Sequence, residues 1–122
     1  MQKAAQVYAQ TAQKTGHPRE LEAQLLLRAA AKLQAVKDGR EGGEVVSALR
    51  YNRRLWLIFA DSVGRQDNPL PHEIKKNVAN LANFIIKHTM KLETDGQHAA
   101  GRVGVLININ REIAAGLRAN AA

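Results

Sequence analysis

The sequence predicts an all-α protein, a small single-domain bundle of four main helices. Apolar residues recur at three- and four-residue spacing along most of the chain, and Gly and Pro clusters separate these runs. The β-branched segment VLININ at 105–110 has the composition of a strand, but no second strand pattern exists to pair with it. At 122 residues and 45% apolar content, the chain can bury a core as one domain over 1–122.

Two helices are predicted in the first half of the chain. Pro18 suits the first turn of a helix over about 18–38, because the N–H that proline lacks is not needed there. A second helix is predicted over about 44–63, and Gly64 ends it. The Ala/Gln-rich segment 2–15 has a thin apolar stripe, which leaves a fifth, N-terminal helix as an alternative.

Two further helices are predicted in the second half. Pro71 can occupy the first position of a helix over about 71–93. The last helix is predicted over about 98–120, with a broad apolar stripe. Three glycines weaken this helix by roughly 1 kcal/mol each relative to Ala, so that it needs tertiary or partner contacts; they are Gly101, Gly104 and Gly116.

The composition also limits the compartment. There are no cysteines, which fits a reducing cytoplasm and excludes disulfides and thiolate metal sites. No apolar run approaches the roughly 18 residues that span a bilayer, and the first residues lack the apolar core of a signal peptide. A cytoplasmic protein without a membrane partner is therefore predicted.

The residue types that commonly act in catalysis or bind metals and cofactors do not occur at the spacings that such sites need. No two histidines have metal-ligand spacing, no carboxylate pair suggests general acid–base work, and no glycine-rich loop follows a strand. The serines have no neighbouring base. The sequence therefore predicts no enzyme, no cofactor and no metal; the residues considered are His17, His72, His88, His98, Ser47 and Ser62.

The net charge of +7 raises the possibility of an RNA or acidic partner. The cations are spread along the chain, however, and the densest group is only Arg50, Arg53 and Arg54. Aromatic residues are 4% of the chain, too few for a base-stacking platform. These observations argue against direct nucleic-acid binding.

The segment NRRLWLIFAD at 52–61 holds the only tryptophan. At about 100° per residue, Arg53 shares a side of the helix with Trp56, whereas Arg54 is turned about 200° away. Trp56 is therefore either a core residue or an anchor for a partner, and its usual burial favours the core. For Asn52 and Asn108, a surface position and a hydrogen bond across a helix interface are both open.

Five segments of the chain form a recognisable set of motifs. They are NRRLW at 52–56, DNPLP at 67–71, NVANLANFI at 77–85, PRELEAQLLLRAA at 18–30 and INREIAAGL at 109–117. Together these segments resemble the FlaF family of flagellar biosynthesis regulators. The similarity runs from about Tyr8 to Leu117, and the pairing of NRRLW with DNPLP is its most specific part.

The resemblance implies a small helical cytoplasmic protein without enzymatic activity. Such a protein would bind flagellin in a chaperone-like role, couple its synthesis to secretion and filament assembly, and act alongside the translational regulator FlbT. The alternative is an RNA-binding or regulator-binding adaptor that controls translation of flagellin mRNA.

A partner site follows from this implied function. Flagellin ends in long amphipathic helices, and a helical protein with surplus apolar surface can accept such a helix in a groove. The predicted groove has five apolar residues and a polar rim of two. They are Trp56, Phe59, Ile85, Leu106 and Ile113, with Asn52 and Arg53 at the rim.

Overall fold

The computed structural model describes residues 18–39 and 44–119, and the predicted helical bundle is confirmed in them. No strand occurs in these two ranges. The suggested helix over 2–15 lies outside the described residues. The elements in chain order are α1 (Pro18–Lys37), α2 (Val45–Val63), α3 (His72–Asp95), a 3-10 helix (Gly96–Arg102) and α4 (Gly104–Ala119).

Local chemistry sets most helix ends. Gly39 follows α1 with a φ of 68°, the left-handed conformation that glycine adopts without a steric penalty. Its N–H donates to the carbonyl of Val36 at 3.1 Å. Gly64 closes α2 by donating to the carbonyl of Ala60 at 3.2 Å. Pro71 precedes α3, and its carbonyl accepts the first helical hydrogen bond.

The predicted last helix, 98–120, is corrected by the structure. Gly96 has a φ of 59° and ends α3, and a 3-10 helix over Gly96–Arg102 then leads to α4, which begins at Gly104. The buried side chains of Ala99 and Val103 anchor this short helix on the core. The contacts of these two residues are tertiary, so the periodicity of the sequence did not show the break.

Two tight helix pairs form the bundle. α1 packs chiefly on α4, α2 packs chiefly on α3, and α1 and α2 join the two pairs. The 3-10 helix lies against the ends of α2 and α3. Trp56 lies in the middle of the core and is fully buried, together with Leu33, Leu49 and Leu106.

The connector between α2 and α3 has an ordered polar frame. The Asn68 side-chain amide donates to the Ser62 carbonyl and hydroxyl, both at 3.1 Å. Its side-chain oxygen accepts the Leu70 N–H at 3.0 Å, which makes an Asx-type turn before Pro71. This turn holds Leu70 against the body of the bundle.

Candidate partner-binding cleft

The predicted groove residues lie mostly in the core. Trp56, Ile85 and Leu106 are fully buried, and Phe59 is 4% exposed. Only Ile113 is half-buried. The predicted residues therefore do not form an accessible groove. The large apolar ones face each other across the bundle, because each lies at the centre of its helix's apolar stripe.

The predicted rim residue Asn52 belongs to a buried chain of hydrogen bonds. Trp56 Nε1 donates to Asn110 Oδ1 at 2.9 Å, and Asn110 Nδ2 donates to Asn52 Oδ1 at 2.7 Å. All three residues are 0% exposed. Of the two alternatives left open by the sequence, Asn52 makes the hydrogen bond across a helix interface, whereas Asn108 lies at the surface. Asn110, two residues further on, is the partner that the sequence did not single out.

The second predicted rim residue, Arg53, is occupied within the bundle. Its guanidinium donates to both carboxylate oxygens of Glu93, from Nε at 2.8 Å and from Nη2 at 3.2 Å. The Arg50 side chain lies 3.9 Å from the same carboxylate. Arg54 is exposed, as its position on the helix predicted. Arg53 therefore fastens α2 to α3 and is not an open contact.

This ion pair also orients α3. Glu93 marks the flank of α3 that faces α2. Phe84 lies nine residues earlier, about half a turn around the helix from Glu93. Its ring is 50% exposed and stacks on His88, with ring centroids 5.5 Å apart and planes within 8° of parallel. The flank of α3 turned away from α2 thus carries an ordered, exposed aromatic ring.

α4 is oriented in the same way by its contacts with α1. The Arg118 guanidinium donates to both carboxylate oxygens of Glu20, at 2.9 and 2.8 Å, and Arg111 reaches Gln34 at 3.4 Å. Ile109 lies nine residues before Arg118, again about half a turn away. The flank of α4 turned away from α1 therefore carries Ile109.

The flank of α3 turned away from α2 and the flank of α4 turned away from α1 border the least tightly packed side of the bundle. α3 is held by α2 and α4 is held by α1, whereas α3 and α4 make few close contacts with each other. We name the space between them the α3–α4 cleft. From their positions on the two helices we assign six apolar residues to it: the half-buried Ile74, Leu81, Ile109 and Ile113, which pack on the core, and the exposed Phe84 and Val105 at its outer edges.

An apolar pocket lies at one end of this cleft. Its enclosed volume is only about 20 Å³, which is room for about one water- or methyl-sized group. It contains Phe59 and Ile113 from the predicted groove, and Glu22 is its one charged residue. The pocket is too small for a separate ligand and can take only the tip of an apolar side chain of a larger partner. It is lined by Glu22, Phe59, Val63, Leu70, Val78, Ile113 and Leu117.

The ion pairs that hold the cleft walls differ in their exposure. Glu93 is 14% exposed, and Arg53 covers it. The Glu20–Arg118 pair lies at the surface, and the hydrogen bonds from Arg118 lower the pKa of Glu20 from its ordinary value of about 4.5. The carboxylate is therefore charged over the whole neutral range, which keeps this pair intact.

The described residues contain no group of three or more His, Asp and Glu side chains that could hold a metal ion. His72 is exposed at the start of α3, His98 is exposed in the 3-10 helix, and His17 lies outside the described residues. No helix in residues 18–39 and 44–119 is both long enough and apolar enough to cross a bilayer. The candidate binding site is the α3–α4 cleft, because its edges carry the exposed apolar residues Phe84 and Val105.

Comparison with known families agrees with the motifs. The profile described as "Flagellar protein FlaF" matches residues 4–117, nearly the whole chain. The chain belongs to the FlaF family of flagellar proteins. Searches of curated proteins and of solved structures give no significant match.

The segments that resemble the FlaF family build the scaffold of the cleft. In NRRLW, Asn52 and Trp56 form the buried polar chain and Arg53 holds α3. DNPLP supplies the Asn68 turn and places Leu70 at the pocket. These residues hold the walls of the cleft, and its exposed edges are formed by other side chains.

Proposed function

We propose that this FlaF-family protein binds flagellin by accepting one of its amphipathic helices in the α3–α4 cleft. In this proposal the protein has a chaperone-like role that couples flagellin synthesis to secretion and filament assembly. The observation that carries it is the sparse packing between α3 and α4, where the cleft has apolar walls and the exposed Phe84 and Val105 at its edges. Large exposed apolar residues rimming a groove are typical of helix-in-groove recognition.

The dimensions of the cleft support a helical ligand. α4 has 16 residues and is therefore about 24 Å long, which allows a bound helix of about four turns to contact it along its length. The ordered stack of Phe84 on His88 lowers the entropy that binding would cost, because the ring is already held. The pocket at the far end would take one apolar anchor of the helix.

Binding of purified flagellin, measured by titration calorimetry, tests this proposal. The variants Phe84→Asp and Val105→Asp place a charge on the edges of the cleft without removing core contacts, since both residues are exposed. Each should weaken binding by at least tenfold, as expected for a contact that excludes water in an interface. Circular dichroism would verify that both variants keep their helix content.

Met90→Asp is the matched control. Met90 is 53% exposed on the same helix, but it is turned about 120° from Phe84 onto the outer face of α3. Its substitution should leave flagellin binding unchanged. If wild-type protein does not bind flagellin at any salt concentration, or if all three variants bind equally, the proposal is wrong.

Substituting the core residues of the predicted groove would be a poorer test. Trp56 is 0% exposed, so Trp56→Ala would destabilise the fold by about 3–5 kcal/mol and weaken binding for an indirect reason. Ile113→Asp is more informative, because Ile113 is only half-buried and lines the pocket. A pull-down with FlbT alongside flagellin would test the regulator as a further partner.

A further inference from the structure

The two edges of the α3–α4 cleft carry different charges. On α3, Lys87 and Lys91 follow Phe84 by three and seven residues, so that both lysines lie beside its ring on the exposed side of the helix. On α4, Glu112 follows Val105 by seven residues and is also exposed. A helix in the cleft would therefore pass between a basic and an acidic edge.

The two lysines are not used by the fold. Among the described residues, neither Lys87 nor Lys91 has an ion pair or a side-chain hydrogen bond. Asp95 lies four residues after Lys91, at the spacing of a helical ion pair, but the Arg102 guanidinium holds it. The lysines are therefore available to an acidic partner.

The other acidic residues near α3 are also engaged or distant. Glu93 is held by Arg53, with Arg50 nearby, on the flank that faces α2. Glu73 is exposed at the opposite end of α3, 14 and 18 residues before the two lysines, or about 20 Å along the helix from the nearer of them. Neither lysine therefore forms an ion pair with an acidic residue of α3, and Glu112 lies on the opposite edge of the cleft.

We infer that Lys87 and Lys91 recognise acidic side chains on one flank of the helix that occupies the α3–α4 cleft. The inference rests on the proposed function, which supplies a helical ligand, and it adds the charge pattern of that ligand. The partner helix would place its apolar stripe against Leu81, Phe84 and Ile109, with Asp or Glu residues on the side next to α3. Exposed pairs of this kind give modest affinity, but they select partner and register.

The test uses two synthetic helical peptides with the same leucine stripe. The acidic peptide carries Glu at three positions on one flank, and the neutral peptide carries Gln there. At low ionic strength the wild type should bind the acidic peptide roughly three- to tenfold more tightly, and added salt should remove the difference.

Lys87→Gln/Lys91→Gln is the test variant, and Arg28→Gln, exposed on α1, is the control. The test variant should bind both peptides with the affinity that wild type has for the neutral one. The control should keep the wild-type preference. Equal binding of the two peptides to wild type, or a preference that survives in the lysine variant, would overturn the inference while the proposed function stands.

Two other outcomes separate the alternatives. If neither peptide nor flagellin binds, the cleft does not accept a helix, and both the proposed function and this inference are refuted. A single-stranded RNA could instead bind wild type and fail to bind the lysine variant, while binding of the acidic peptide is the same for both. In that case the lysines bind a nucleic acid and the inference is overturned.

Discussion

The buried chain Trp56–Asn110–Asn52 makes a specific prediction about stability. Asn110 is the middle member: it accepts from Trp56 Nε1 at 2.9 Å and donates to Asn52 Oδ1 at 2.7 Å. Asn110→Ala removes both hydrogen bonds at once. It leaves the indole N–H and the Asn52 oxygen in the core without those partners.

The cost of this substitution follows from the two orphaned groups. A buried donor or acceptor left unpaired costs about 1–3 kcal/mol, so the two together cost roughly 2–6 kcal/mol. The better helix propensity of Ala offsets about 0.5 kcal/mol of this. We therefore expect Asn110→Ala to lower the free energy of unfolding by about 2–5 kcal/mol, a large part of the stability of a domain of this size.

Urea unfolding monitored by circular dichroism and by tryptophan fluorescence measures this change. Trp56 is the only tryptophan, so its emission reports directly on the core at the substituted site. With a slope of about 2 kcal/mol per molar urea, the midpoint should fall by about 1–2.5 M. The slope itself should stay constant, since the fold is retained.

Asn108→Ala is the matched control, because Asn108 is exposed two residues earlier on the same helix. That substitution should change the free energy of unfolding by less than about 0.5 kcal/mol. If the two variants unfold at the same urea concentration, the polar chain does not stabilise the bundle, and the reasoning is refuted.

Two further predictions concern the ion pairs that hold the cleft walls. Arg53→Ala should lower the free energy of unfolding in urea by about 1–2 kcal/mol, because Glu93 is only 14% exposed and loses its bidentate partner. The control Arg54→Ala should leave it unchanged. Equal losses in the two variants would contradict the role of Arg53 in holding α3 to α2. Glu20→Gln should lower the melting temperature slightly near neutral pH. Because Arg118 lowers the pKa of Glu20, the stability that this ion pair contributes is present above about pH 4.5 and is lost as the pH falls through the lower folded-state pKa. A difference in melting temperature between wild type and variant that persists in strong acid would contradict this explanation.

The helix limits could be predicted because they depend on residues next to them. Gly64 ends α2, as predicted, and Pro71, predicted as the first residue of α3, lies one residue before it as its N-cap. The 3-10 helix could not be predicted in this way. It depends on the burial of Ala99 and Val103 in the core, which brings this segment against α2, a helix distant in sequence.

The location of the candidate site was harder to predict than the fold. Helical periodicity identifies the apolar side of each helix, but it does not show which part of that side a neighbour covers. Ile85 and Ile113 are equally apolar in sequence, yet Ile85 is fully buried whereas Ile113 borders the pocket. Likewise, Asn108 and Asn110 differ only by their position relative to α2. Both distinctions come from how the helices pair.

Trp56 also separates two ways in which a helix could enter the bundle. Its hydrogen bond to Asn110 joins α2 to α4 across the core, so α4 cannot swing away from the bundle without breaking that bond. A helix that lies on the edges formed by Phe84 and Val105 leaves the bond intact, and the emission of Trp56 stays that of a buried indole. A helix that displaces α4 from α2 breaks the bond, exposes the ring to water and shifts its emission to longer wavelength. Because the broken bond would add about 1–3 kcal/mol to the cost of displacing α4, we expect the helix to bind in the cleft with α4 in place and the emission to stay unchanged on addition of flagellin.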